Sequence, residues 1–232
     1  MSIYNRESQY VKLLAQKPYS VKELSEKLFI SEPTVRRDII LLKEKEIVIC
    51  KRGIVALKTN SPDQRIPLFI RHLERNEEKQ IIARKAVKHV KDGYVIMLDA
   101  STTAFHLLPY LAEFKNVLII TNGAKTALEA ASMGIRTICT GGELMTDSFC
   151  YAGTDAESVL RNYNADVAFF SCRGISEEGI ASDNSILENS MRKIMLKNSK
   201  KSYLLCDKSK IGKTYLNRLC HIEELEGLIT DK

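Results

Sequence analysis

The chain has 232 residues, 44% of them hydrophobic and 28% charged, with no Trp. That balance excludes a disordered, fibrous or disulfide-scaffold protein and fits one large or two modest globular domains. The net charge of +6 is too small to name a partner, but it is unevenly spread: residues 1–58 carry 12 Lys+Arg against 7 Asp+Glu, and residues 59–232 carry 23 against 22. A small basic unit joined to a larger, near-neutral one is the charge pattern of a nucleic-acid reader attached to a second module.

In chain order, residues 3–16 place Tyr10, Val11, Leu13 and Leu14 on one face, which predicts a helix. Lys17-Pro18-Tyr19 breaks it. Ser20 followed by Glu23 is a capping box, in which the hydroxyl takes a backbone N–H and the carboxylate reaches back, and it opens a helix over 21–28. Phe29-Ile30 makes a turn. Ser31 is expected to cap a third helix over 32–45, with Pro33 tolerated in its first turn, where its missing N–H has no helical partner. That helix buries Val35, Ile39 and Leu42 and offers Thr34, Arg36 and Arg37 on its other side. Two short helices with a tight turn between them match the helix-turn-helix, whose second helix enters the major groove. Ile47–Cys50 and Ile54–Leu57 follow as two strands, with Lys51-Arg52-Gly53 as a turn that places two cations against phosphates. The expected DNA contacts are therefore Ser31, Thr34, Arg36, Arg37, Lys51 and Arg52.

Residues 59–75 are polar at their start, contain Pro62, and read as a linker before a helix over 76–91 with Ile81, Ile82, Ala86, Val87 and Val90 as its apolar face. From there apolar strands alternate with helical stretches: Tyr94–Leu98, Val117–Thr121, Arg136–Thr140, Val167–Ser171, Tyr203–Cys206 and Leu228–Thr230. The alternation predicts an α/β domain over 76–232 with a mostly parallel sheet, whose ligand crevice lies beyond the carboxyl ends of the strands. Those ends carry Asp99, Ser101, Thr102 and Thr103, then Asn122, then Gly141 and Gly142, then Cys172-Arg173-Gly174, then Asp207 and Lys210. Hydroxyls, backbone N–H groups, glycines and a cation suit a small anionic, hydroxyl-rich ligand such as a sugar phosphate. Gly174 and Gly179 flank what reads as a plain turn.

No apolar run approaches the ~18 residues of a membrane span, and the N-terminal residues lack a signal-peptide core. The six cysteines form no CxxC pair, and several, such as Cys139 and Cys206, read as small buried hydrophobes. The expectation is a cytoplasmic protein with reduced thiols. His72, His89, His106 and His221 show no ligand spacing, so neither a metal nor a cofactor is expected.

The run Ser31-Glu32-Pro33-Thr34-Val35-Arg36-Arg37-Asp38-Ile39 resembles the recognition helix of the DeoR family of bacterial transcription regulators. The second domain is similar to that family's C-terminal sensor in Asp99-Ala100-Ser101-Thr102-Thr103, Thr121-Asn122-Gly123, Gly141-Gly142, Glu188-Asn189-Ser190-Met191-Arg192-Lys193 and Asp207-Lys208-Ser209-Lys210. The resemblance implies a ribose-5-phosphate-isomerase-like sensor fold and a regulator, in most such families a repressor, that binds a double-stranded DNA operator and a phosphorylated sugar as a homodimer or homotetramer. It also implies that Thr102 and Thr103 hold the phosphate, that Arg192 or Lys193 joins Lys210 in supplying positive charge, and that Asp99 and Asn122 bind sugar hydroxyls. The competing reading is a sugar-phosphate isomerase with an accessory DNA-binding domain. The related isomerases carry carboxylates after the strand corresponding to Val167–Ser171, where this chain has Ser171-Cys172-Arg173-Gly174, and proton transfer needs such a base.

Overall fold

The computed structural model describes residues 3–14, 17–51, 53–58, 71, 75–146 and 148–232. The chain divides into two compact units, Met1–Glu74 and Arg75–Lys232. Most of the expected linker, 59–70 and 72–74, lies outside the described residues.

The first unit contains helices α1 (Ile3–Leu14), α2 (Val21–Leu28) and α3 (Glu32–Glu44) and strands β1 (Tyr19–Ser20), β2 (Val48–Lys51) and β3 (Ile54–Leu57). Tyr10, Leu14, Leu24, Val35, Ile39, Leu42, Val48 and Val55 form its core. The strands pair antiparallel in the order β1-β3-β2. β1, which the break at Lys17-Pro18 hides in the sequence, adds Tyr19 and Ser20 opposite Val55 and Ile54.

Asp38 is the unexpected member of this core. It shares a face with Val35 and Leu42, and it is buried. The Arg6 guanidinium donates to it twice, Nε to Oδ2 at 2.9 Å and Nη2 to Oδ1 at 3.1 Å, and the Tyr10 hydroxyl donates to Oδ2 at 3.2 Å. The last polar residue of the Arg-Arg-Asp run thus fastens α1 to α3. The Arg6 pKa rises through its hydrogen bond to Asp38, and burial followed by the Asp38 charge pushes the Tyr10 phenol well up. Removing one partner of a buried pair costs about 3–5 kcal/mol because the others are left uncompensated. Asp38→Ala is therefore expected to unfold this small unit while the second stays folded, as seen in the loss of amide-exchange protection from α1 through α3. Wild-type protection in α1 would show that the triad contributes nothing.

The second unit opens with α4 (Asn76–Ala86) and a 3-10 turn to His89, so the helix ends earlier than expected. The six expected strands all form: β4 (Val95–Leu98), β5 (Leu118–Thr121), β6 (Arg136–Cys139), β9 (Ala165–Ser171), β12 (Ser199–Leu205) and β14 (Gly227–Ile229). They make one sheet in the order β14-β12-β9-β4-β5-β6, with every neighbour parallel. Alternate strand residues go to opposite faces. Ile96, Leu98, Ile119, Phe169 and Leu205 pack against α4, the short helices α5 (Thr102–Phe105) and α6 (Leu108–Leu111), and Ala130 of α7 (Ala124–Ser132). Met97, Ile120, Phe170 and Leu204 pack on the other side against α8 (Thr154–Arg161) and α9 (Ile186–Lys197).

Two smaller sheets complete the unit. The hairpin β7 (Glu143–Met145) with β8 (Cys150–Ala152) is one. The other is the antiparallel order β10 (Gly174–Ile175), β11 (Ile180–Asp183), β13 (Asn217–His221), so the Gly174–Gly179 turn joins two strands of a sheet. Two burial expectations are corrected. Ile81 is exposed, because α4 turns Ile82, Ala83 and Ala86 inward. Cys139 is exposed, because β6 is the sheet edge.

Candidate functional site

The reading head is set by local sequence. Glu23 N–H donates to Ser20 Oγ at 3.2 Å and Ser20 N–H donates to Glu23 Oε2 at 2.7 Å, closing the capping box that starts α2. Phe29 ends α2 in the left-handed conformation, φ 54°, and the turn delivers Ser31 to the start of α3. Ser31 has N-cap backbone angles, but its hydroxyl makes no cap bond. It lies 2.9 Å from Thr34 Oγ1 instead, which corrects the expected side-chain cap. Arg36 and Arg37 are both exposed. Arg36 Nη2 reaches Glu32 Oε2 at 3.3 Å, an exposed i,i+4 contact of little energetic weight. Gly53 takes φ 78° in the wing turn, which leads from β2 to β3. Its carbonyl accepts from Val21 N–H at 3.3 Å, which ties the wing to α2. Lys51 closes β2, and Arg52 lies outside the described residues.

In the second unit the chain winds one way from β4 to β5 and β6 and the other way to β9, β12 and β14, so the topological switch point lies between β4 and β9. A ligand of an open parallel sheet binds beyond the strand ends at this point. Asp99 follows β4 there and is buried. Its Oδ1 accepts from Ser101 N–H at 3.1 Å, and its Oδ2 accepts from Ser171 N–H at 3.2 Å and from Arg192 Nε at 2.9 Å. Both oxygens accept hydrogen bonds from the protein, which fastens the ends of β4 and β9 to each other.

Arg192 is likewise not an available cation. Its side chain is only 4% exposed and meets three carboxylates: Asp99, Asp183 through Nη1 at 2.9 Å, and Glu188 through Nη2 at 2.8 Å. Burial opposes its charge, but the charges of Asp183, Asp99 and Glu188 hold its pKa well above the usual arginine value. Burial alone would raise the Asp183 pKa, yet the Arg192 charge and hydrogen bond, with the Asn184 and Ser185 N–H groups, bring it below the ordinary carboxylate range. Lys193, one residue on, points to solvent.

The cation that does reach the switch point is Lys210. Its Nζ donates to Ser171 Oγ at 2.9 Å and lies 3.9 Å from Asp207 Oδ2. Asp207 is buried and caps its own turn by accepting from Ser209 N–H at 3.1 Å and from the Ser209 hydroxyl. Burial raises its pKa, but the Ser209 hydrogen bond and the Lys210 and Arg75 charges outweigh that and lower it. Ser171 is the site residue the sequence reading passed over. An isolated Ser at the end of an apolar strand was its only signal.

Ser101 caps α5 by accepting from Ala104 N–H at 3.1 Å, and Thr102 and Thr103 follow it, all three largely buried. Asn122 is buried after β5. Its Nδ2 donates to Tyr151 O at 3.1 Å, and its Oδ1 has no hydrogen-bond partner. A buried acceptor without a donor costs free energy, and Asn122 Oδ1 is one of two such side-chain atoms among the described residues, with Ser202 Oγ. The hairpin β7–β8 covers this loop, with Tyr151 N–H donating to Asn122 O at 2.7 Å. Gly141 and Gly142 have φ 63° and 96°. A Cβ on Gly142 would come to 3.0 Å from Ala152 O and Ala156 N, so packing against β8 and α8 favours a glycine there. Among the described residues no group of three or more His, Cys, Asp or Glu could hold a metal, and no helix is long and apolar enough to cross a membrane.

The geometry agrees with the comparisons. The DeoR-like helix-turn-helix domain matches residues 6–60, and the DeoR C terminal sensor domain matches residues 74–232. The chain belongs to the DeoR family of transcription regulators. It is 33% identical to the HTH-type transcriptional regulator GolR of Listeria innocua, over 98% of this chain and 90% of that one. It is 30% identical to the L-fucose operon activator of Escherichia coli, over 95% and 91%. It is also 30% identical to the lactose phosphotransferase system repressor of Staphylococcus epidermidis, over 100% and 93%. Among solved structures, ribose 5-phosphate isomerase A of Methanocaldococcus jannaschii overlays with TM-score 0.45 at 23% identity, covering 60% of this chain and 55% of that one. The eIF2B delta structure from Chaetomium thermophilum overlays with TM-score 0.52 at 16% identity, covering 68% and 58%, a likeness of fold alone. The curated relatives are named as regulators and the isomerase reading is not favoured, in keeping with the missing carboxylate after β9.

Proposed function

We propose that the protein represses a sugar-metabolism operon and that a phosphorylated sugar bound at the strand ends of the second unit changes its affinity for the operator. The observation that carries this reading is the exposed Arg36–Arg37 pair on α3, the second helix of the helix-turn-helix, within a chain whose larger part is a family sensor domain. The relatives' names support the sugar connection. In this reading Ser31, Thr34, Arg36, Arg37, Lys51 and Arg52 contact DNA. Lys210 with the Ser101–Thr103 hydroxyls and backbone takes the phosphate, and the open acceptor of Asn122 takes a sugar hydroxyl. Two or more protomers assemble, because one small head reads few base pairs and paired heads read repeated half-sites. The setting is the cytoplasm, where the operator and reduced thiols are found.

A thermal-shift panel of sugar phosphates tests the sensor, since any ligand that binds only the folded state raises the melting point. A hydrogen bond to a charged group contributes about 1.5–3 kcal/mol. Lys210→Gln is therefore expected to weaken the responding sugar phosphate by roughly tenfold to a hundredfold, with the melting point of the free protein little changed. Equal affinity in the two proteins would remove Lys210 from the site. Deletion of the gene should raise transcription of its operon, and a fall would make the protein an activator.

A further inference from the structure

Two neighbouring strands of the large sheet each run into a cysteine. The parallel register of β9 and β12 sets Phe170 beside Leu204 and Ser171 beside Leu205. The next pair along is Cys172 beside Cys206. Strand residues two apart share a face, and both cysteines lie with Phe170 and Leu204 in the layer packed against α9. Both are buried and both are free thiols. Paired strands run about 4.7–4.9 Å apart, within the ~4.4–6.8 Å between α-carbons that a disulfide spans. The surroundings set the two thiols apart. A hydrogen bond from Cys206 lowers the Cys172 pKa, and the Lys210 and Arg192 charges add to it against burial and the Asp183 charge. Lys210 is held there by its contact with Ser171 Oγ at 2.9 Å, one residue before Cys172. The Cys206 pKa is pushed well up, first by Cys172 and then by burial. Cys220 of β13, in the same layer, is pushed up to about 12, chiefly by burial. The thiolate is the reactive form of a cysteine, so Cys172 is the nucleophile of the group.

We propose that Cys172 and Cys206 are a redox-active pair, which hydrogen peroxide converts into a disulfide across the ends of β9 and β12. The Cys172 thiolate attacks one peroxide oxygen. The S–O bond forms as the O–O bond breaks, and the hydroxide released takes up a proton and leaves as water. Cys172 is then a sulfenic acid, the first and reversible rung of thiol oxidation. The Cys206 sulfur attacks the sulfenic sulfur, the S–S bond forms as the S–O bond breaks, and the second hydroxide leaves as water with the Cys206 proton. Two thiols lose two electrons and two protons, and the peroxide is reduced to two waters. The first step prepares the second, because it consumes the thiolate that chiefly holds the proton on Cys206. The disulfide ties the loop carrying Asp207 and Lys210 to the strand end carrying Ser171, a chemical input at this place that needs no sugar phosphate. Disulfides inside mesophilic cells are mostly of this transient, sensing or catalytic kind.

Peptide mapping of the full-length protein after brief exposure to millimolar hydrogen peroxide, with free thiols blocked before digestion, tests the pair in wild type, Cys172→Ser and Cys206→Ser. In wild type the peptide carrying Cys172 is expected to be joined to the one carrying Cys206, and dithiothreitol separates them. In Cys206→Ser the first step has no resolving thiol, so Cys172 stays a sulfenic acid and is captured by dimedone. In Cys172→Ser, Cys206 remains a thiol. The order of the two steps is also read in wild type alone, where dimedone present during oxidation labels Cys172 and leaves Cys206 unlabelled, so the test stands even where a serine variant does not fold. Three results overturn the proposal: both thiols still free in wild type at an exposure that oxidises the exposed Cys139, a bond from Cys172 to Cys220 in place of Cys206, or dimedone on Cys206 with Cys172 still a thiol.

Discussion

An Arg192→Ala chain is expected to lose the folded sensor unit, while the neighbouring Lys193→Ala is nearly silent. Arg192 is a buried positive charge shared by Asp99, Asp183 and Glu188, all within 2.9 Å. Replacing a whole buried ion cluster by apolar residues can be neutral, but removing one partner leaves the others uncompensated at about 3–5 kcal/mol. Here three carboxylates lose the guanidinium together, against a domain stability of about 5–15 kcal/mol. Arg192→Lys should not rescue the fold, because one ammonium cannot reproduce a fork that serves three carboxylates. Lys193→Ala removes an exposed side chain and should stay within about 0.5 kcal/mol. Urea unfolding of the two variants beside wild type is the measurement, and equal midpoints for Arg192→Ala and Lys193→Ala would refute the argument.

The same cluster sets a pH dependence with a definite sign. In wild type the folded Asp183 pKa lies below its ordinary value of 3.8. Its contribution is therefore complete above that value and is lost as pH falls through the lower folded one. In any Arg192→Ala protein that still folds, only the Asn184 and Ser185 N–H groups oppose burial at Asp183, and the folded pKa moves up. The sign then reverses, and stability is lost as pH rises through the raised value. Denaturation of wild type that becomes easier toward acid, against a variant that is relatively spared there, is the expected pair of results.

The parts of this molecule that were legible in the sequence are those fixed by neighbours along the chain. Ser20 and Glu23 stand three residues apart and cap α2 as read. The six parallel strands are apolar runs bounded by polar strand ends, and only their limits moved. What stayed hidden depends on distant residues. Asp38 is 32 residues from Arg6, and its one local signal was a carboxylate in phase with Val35 and Leu42. Of the three carboxylate partners of Arg192, only Glu188 at i,i+4 could be suspected, whereas Asp99 is 93 residues away. Arg192 therefore read as an available cation when it is a structural one. The hairpin β7–β8 and the sheet β10-β11-β13 escaped for a related reason. Strands of two to five residues have too short a period to read, and these are anchored by bonds such as Asn122 to Tyr151 and Tyr215 N–H to Ser182 Oγ.

Loss of operator binding in an Arg37→Ala chain is the largest functional effect expected. The opening +5 on residues 1–58 resolves, on α3, to two exposed guanidiniums near the N-terminal end of the helix. Glu32 partly engages Arg36, whereas Arg37 makes no ion pair among the described residues. A bidentate arginine–guanine contact is worth about 1–3 kcal/mol of discrimination, so each single variant should weaken the operator by roughly tenfold to a hundredfold. The double variant should fall to the nonspecific level. Titrations at several salt concentrations separate the two possible roles. If Arg37 meets a phosphate, Arg37→Ala weakens all sequences alike and lowers the slope of log affinity against log salt by about one. If it meets a base edge, the slope holds and selectivity relaxes at one operator position. Sugar-phosphate binding should be unchanged in either case, because the ligand residues lie in the other unit. Wild-type operator affinity in both Arg36→Ala and Arg37→Ala would show that α3 is not the reading element.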